Sequence, residues 1–361
     1  MINSIILAML IILVHLGECD IQQQGEEPPP YYPQFECQNN SKTSYNDVMI
    51  ILESSSAMGK YTLNTIIDSL NELLSNNFTV GSKDINLWST QIGVVSYDSS
   101  INNLIDLGQV NGGNIPHYDT YSQSIGIIEA IKYAVNQFSG DSHDPLYPMV
   151  IVLFVASLNQ QYLPNDAIEK FREDGGVFLV YEVAQLTPNP LIQKLVPPQY
   201  YYLMDLNSND WIQNLTNNLL IANCYYNVGE TPVEVDPVYN IPTGGCLYSA
   251  IIAVTLENAT HMCQKMHGAL FLPKYHYLQE LADKLTDEKI WAGLTYNETS
   301  KNCTWTDGTV LENCPEDPEG EVPAEDDGYV YYQGEFKFYG KNSNFHYICI
   351  VPPCDSTFHC I

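Results

Sequence analysis

Few residue groupings in this chain are suited to covalent chemistry. The GxSxG nucleophile elbow, the HExxH zinc helix and the phosphate-binding P-loop are all missing. His261 and His267 lie six residues apart in a helical pattern, so they point in different directions. With no nucleophile–base pair, carboxylate pair or metal constellation legible, the reading is a binding protein and not an enzyme. The densest set of potential ligand atoms is acidic. Residues 312–327 hold eight Asp or Glu and no Lys or Arg. The ordinary reading of such a run is a solvated acidic loop; the sharper one is a weak calcium or cationic-partner site on Asp317, Glu319 and Glu321. No other cofactor is assigned. Just beyond, Tyr329, Tyr331, Tyr332, Phe336, Phe338 and Tyr339 flank Gln333-Gly334-Glu335 as a hairpin. Alternation buries part of this aromatic set, and the remainder, with Phe336 and Phe338 as candidates, is free to stack on sugar rings.

Ten cysteines without a CxxC pair point to disulfides, which persist in oxidising compartments. Six Asn-x-Ser/Thr sequons agree, at Asn39, Asn77, Asn214, Asn258, Asn297 and Asn302. The apolar run Ile5 to Leu16 has the length of a signal-peptide core and is too short for a bilayer, which assigns 1–19 as a signal peptide and the mature chain to the extracellular space, without an integral membrane anchor. Removal of Cys19 with that segment leaves nine cysteines, one of them free or intermolecular. The net charge of −29 repels phosphate backbones and anionic headgroups, so nucleic acid is a poor partner.

The elements that must position these groups fall into two regimes. After a Pro-rich leader, 20–44, apolar runs alternate with amphipathic stretches. Val48–Leu52, Gln91–Tyr97, Met149–Val155 and Val177–Val183 read as strands; Ser122–Gln137, Asn165–Glu173 and Asn209–Ile221 read as helices. Leu63, Ile66, Ile67, Leu70, Leu73 and Leu74 share one face of a further helix. This rhythm predicts an α/β doubly wound, mostly parallel sheet over 45–222. Residues 223–241 lose periodicity and read as a linker. Over 242–350 short strands, tryptophans and frequent cysteines predict a smaller disulfide-linked α+β domain, followed by a Cys-containing tail, 351–361.

The segment ILESSSAMG, Ile51 to Gly59, resembles the Asp-x-Ser-x-Ser metal-ion-dependent adhesion site of von Willebrand A domains. That family holds magnesium or calcium on strand-end oxygens, and a free coordination position takes an acidic group of the partner. Here the motif becomes Glu53, Ser55 and Ala57; Val155 stands at the third-loop Asp, and the middle-loop Thr falls on Thr120, Ser122 or Ser124. The resemblance therefore implies a degenerate site at Glu53 and Ser55.

The segment ENATHMCQKMHGALFLP, Glu257 to Pro273, with IWAGLTYN, WTDGT and YICI in order, resembles C-type lectin-like domains. That family joins its first-helix and last-strand cysteines, which implies Cys263–Cys349. Cys303–Cys314 would clip the loop around WTDGT and Cys37–Cys224 would tie the ends of the first domain, leaving Cys246, Cys354 and Cys360 unassigned. Family sugar sites take calcium on two oxygen-rich triplets. Asp317-Pro318-Glu319 lies near the first; Phe336-Lys337-Phe338 replaces the second and offers no oxygen. Together the resemblances imply a recognition or adhesion protein of lectin type, with glycans or microbial surfaces in innate defence as ligands. The alternative is a protein- or matrix-binding molecule on a degenerate lectin scaffold.

Overall fold

The computed structural model describes residues 37, 40–81, 88–120, 125–140, 143, 147–158, 164–183, 187–226, 229–311, 313–316, 323–324 and 327–356. The signal segment, the Pro-rich leader to residue 36, Asn39, Ser122, Ser124, Asp317, Glu319, Glu321 and Cys360 lie outside them.

The first half builds a six-stranded sheet in the order β3-β2-β1-β4-β5-β6. Its central members, β1 (Asp47–Glu53), β4 (Met149–Val155) and β5 (Val177–Glu182), are nearly continuous apolar runs. That composition suits strands covered on both faces. β2 (Gln91–Tyr97) and the short β6 (Tyr201–Leu203) are also parallel to their neighbours, while β3 (Ile101–Ile105) folds back antiparallel on β2. β3 and β6 have too few apolar residues to stand out in the sequence.

Helices α1 (Lys60–Asn77), α2 (Ile127–Gln137), α3 (Asn165–Glu173) and α4 (Asp210–Ala222) cover the sheet. All six apolar residues expected on one face of α1 are buried against it. The α2 helix begins at Ile127 and not at Ser122. Just before it, the N–H groups of Ile125 and Gly126 both bond the Asp98 carbonyl, which holds the chain in a turn until residue 127.

The stretch 223–241 is not a plain connector. Its Glu230–Val235 portion forms β7, which pairs antiparallel with β8 (Pro242–Val254) and joins the second sheet. Alternate prolines and acids mask the strand in the sequence, and edge position is where such residues are tolerated. The second sheet continues with β15 (Phe345–Val351), β10 (Ile290–Asn297), β11 (Asn302–Trp305) and β12 (Val310–Leu311). β9 (Ala269–Leu270) attaches to β15, and the hairpin β13 (Gly328–Tyr332) and β14 (Glu335–Tyr339) attaches to β10. Helices α5 (Leu256–Lys265) and α6 (His276–Leu285) pack on this frame.

Its core centres on Trp291, which is fully buried; its indole N–H donates to the Val254 carbonyl at 2.8 Å and its ring meets Phe345 edge-on. Gly328 makes room for that ring: a Cβ there would fall 2.9 Å from it. Cys263–Cys349 ties α5 to β15, Cys303–Cys314 closes the β11 loop and Cys37–Cys224 joins the two ends of the first domain. Cys354 is also disulfide-bonded, and Cys246 is free and buried. The chain after β15 returns to the first domain, where Cys354 and Tyr225 exchange two backbone hydrogen bonds.

Candidate functional site

The carboxyl edge of the parallel sheet brings together residues far apart in sequence. Glu53 ends β1 with its carboxylate buried, and the chain after β4 passes beside it. Glu53 Oε1 accepts from the Ser55 hydroxyl at 2.5 Å and the Ser157 hydroxyl at 2.7 Å. Glu53 Oε2 accepts from the N–H groups of Ala156 at 2.7 Å and Ser157 at 3.0 Å. A carboxylate has about four lone-pair directions, and protein donors occupy all of them. The side chain is one methylene longer than the aspartate of the adhesion motif. Ala57 has no side-chain hydroxyl, and its N–H donates to Ser55 Oγ at 3.1 Å; Val155 has no side-chain oxygen, and its carbonyl accepts from the Val183 N–H at 2.8 Å. These residues do not fit a magnesium ion, which demands a near-octahedral oxygen set.

Further along the edge, Asp98 and Glu182 repeat the arrangement. Burial would raise the Asp98 carboxyl, but hydrogen bonds from the Ser100 N–H, the Asn102 amide and Ser99 outweigh it and hold the group below the ordinary carboxylate range. Glu182 accepts from the Asn189 N–H and the Tyr201 hydroxyl, each at 2.6 Å.

The middle loop is stitched down by α1. Asn71 donates to the Ile115 carbonyl at 2.9 Å and accepts from its N–H at 2.7 Å; Asn64 accepts from the Tyr118 N–H, Asp68 meets His117, and Lys60 pairs with Asp119. Lys60, Asn64, Asp68 and Asn71 recur every three or four residues, so they form one polar stripe. The apolar periodicity of the same helix draws attention away from it. Of the middle-loop candidates only Thr120 is described, and it is half-buried.

In the second domain the WTDGT segment is anchored by a cation. Lys274 pairs with Asp307, donates to Thr309 Oγ1 at 3.0 Å and lies 5.6 Å from the Trp305 ring centre. Burial raises the Asp307 carboxyl, but Lys274 and the Thr309 donors prevail and lower it from its usual value. Phe336 and Phe338 are half-buried and pair across the hairpin with Tyr331 and Tyr329, in edge-to-face contacts at 5.2 and 6.0 Å. They pack on the hairpin, and their side chains carry no oxygen for a cation. Within that loop the described acids are Glu316, which is exposed, and Asp327, whose carboxylate accepts from the Ala324 N–H at 2.8 Å. Among the described residues no group of three or more His, Cys, Asp or Glu is arranged to hold an ion.

Of the described sequons, Asn77, Asn258 and Asn297 are exposed and Asn302 is half-buried. Asn214 lies on α4, where its Oδ1 accepts from the Tyr181 hydroxyl at 2.9 Å and the Asn218 amide at 3.0 Å.

A doubly wound parallel sheet followed by a disulfide-linked lectin-type sheet defines a recognition module in each half. The family model of the von Willebrand factor type A domain matches residues 47–218, and that of the lectin C-type domain matches 252–350. The chain is therefore a von Willebrand factor A domain joined to a C-type lectin domain. No curated protein matches it. Similar solved structures include the mouse scavenger receptor C-type lectin carbohydrate-recognition domain, at 20% identity over 29% of this chain and 85% of that one, TM-score 0.26. Proximal thread matrix protein 1 from the mussel byssus shares 14% identity over 50% of this chain and 47% of its own, TM-score 0.41. A calcium-independent type II antifreeze protein shares 18% over 35% and 94%, TM-score 0.29. No described helix is long and apolar enough to cross a membrane.

Proposed function

We propose that this chain is a secreted recognition protein that grips glycans of microbial or matrix surfaces without a divalent cation at the adhesion edge of its first domain. The observation that carries this reading is the saturated Glu53 carboxylate, whose lone pairs are spent on Ser55, Ala156 and Ser157. Oxidising surroundings are supported by three disulfides among the described residues, and sequons at exposed Asn77, Asn258 and Asn297 suit glycosylation on export. A glycan array read with and without EDTA tests the proposal: chelator-insensitive binding is expected. Binding lost in EDTA would return the ligand to a calcium site on Asp317, Glu319 and Glu321.

A second reading, a protein or matrix ligand on a lectin scaffold, is favoured by Phe336-Lys337-Phe338, which offers rings and an ammonium where a sugar-binding calcium needs oxygens. A silent array with binding to an extracellular protein would support it.

A further inference from the structure

We infer that the cleft at the amino ends of β4 and β5, on the opposite edge of the sheet from Glu53, is a binding site for a carboxylate-bearing sugar residue held by Arg172. The cleft has a volume of about 400 Å³ and runs between the first domain and the chain entering β8. Arg172, His143, Tyr200, Tyr225, Tyr226 and Tyr239 are among the residues that line it.

Three features converge on an anion. Arg172 is the single arginine of a chain with 43 acidic residues, and it stands in this cleft. Among the described residues its guanidinium makes no ion pair and no side-chain hydrogen bond, although it is half-buried. Finally, no Asp or Glu is among the described residues lining the cleft. A planar guanidinium with free donors matches a carboxylate in bidentate fashion. The protein's overall negative charge does not forbid this, since at physiological salt fields are screened beyond about 8 Å.

The body of the ligand follows from the walls. Tyrosine rings offer flat apolar faces with polar tips, which suit the C–H face and hydroxyls of a sugar ring. The volume lies toward the small end of ligand pockets, about 300–1,000 Å³, so it takes a monosaccharide-sized unit in preference to a peptide chain. The site is preformed by contacts outside its own ligand: Tyr200 Oη donates to the Tyr239 carbonyl at 2.9 Å, and Asp47 holds His143 at 2.7 Å.

This assignment deepens the glycan-recognition reading and rests on it for the ligand class. Calorimetric titration of the full chain with glucuronate and N-acetylneuraminate, against glucose and a short poly-glutamate peptide, tests it. The acidic sugars should bind and glucose should not. Arg172→Gln should weaken them at least tenfold while leaving the melting curve unchanged, and Tyr226→Ala, at the 44% exposed rim, should weaken them less. Acidic sugars that fail to bind, that bind Arg172→Gln equally well, or that are outcompeted by poly-glutamate would overturn the assignment. If an array then shows other glycans bound equally by wild type and Arg172→Gln, glycan recognition stands and only this site falls. If no glycan binds at all, both fall.

Discussion

The Ser157 hydroxyl donates to Glu53 Oε1 at 2.7 Å, so the Glu53 carboxylate clasps the ends of two neighbouring parallel strands. Removing that carboxylate leaves buried Ser55 and half-buried Ala156 and Ser157 without their acceptor. Glu53→Ala should therefore destabilise the first domain by about 1–3 kcal/mol, the range for orphaned buried polar groups. Wild-type melting curves should coincide in magnesium and in EDTA. A shift of several degrees with magnesium would mean that an ion displaces the hydrogen bonds described.

Cys263 and Cys349 lie 86 residues apart and join the first helix to the last strand of the lectin domain. Closing a loop of that length is worth about 4–5 kcal/mol in the chain-entropy treatment. Cys263→Ser should lower the calorimetric melting temperature of this domain markedly. The domain should then melt before its neighbour in the same scan.

Asp307 has its carboxyl held below the ordinary range, so its contribution to stability is present above the unfolded-state value of about 3.9 and is lost as pH falls through the folded one. Stability of the lectin domain should decline in acid below about pH 4 by this route. Lys274→Met removes the pairing cation, and its melting temperature should depend less steeply on pH over that window. Equal slopes for variant and wild type would assign the acid response elsewhere.

Burial, with Glu230 nearby, pushes the Cys246 thiol up to about 12. At neutral pH the group stays protonated and enclosed, and the thiolate is the reactive species. Native protein should resist iodoacetamide at Cys246, and mass spectrometry should find the adduct only after denaturation.

Asn71 is the main tie between α1 and the middle loop through its two bonds to Ile115. Asn71→Ala should cost about 1–2 kcal/mol. Hydrogen exchange at the Ile115 amide should rise more than exchange in β1.

Burial periodicity is a local property, and the sequence carried it well. The α1 face, the apolar strands and the aromatic alternation of β13 and β14 are legible because hydrophobic residues must follow the 3.6- or 2-residue period of the element that buries them. Short or polar elements escaped: β3, β6 and β7 bury too little apolar surface to leave a pattern, and β7 reads as loop because an edge strand tolerates Pro232 and Glu234. The resemblance read from the sequence placed Glu53, Ala57 and Val155 where the adhesion motif has other residues.

Tertiary structure alone decided what the Glu53 carboxylate meets. Whether Glu53 reaches Ala156 and Ser157 depends on β1 and β4 being adjacent and in register from Asp47 with Met149 onward, and on the length of one side chain. The same holds for Arg172. Its being the single arginine is a fact of composition, but its lack of a counter-charge is a fact of packing. The amino ends of the strands, the end of α4 and the turn before β8 converge on it without bringing any Asp or Glu of the described residues into the cleft wall. No pattern along the chain encodes such an absence, because it is set by which segments meet in space and not by how any one of them is spaced.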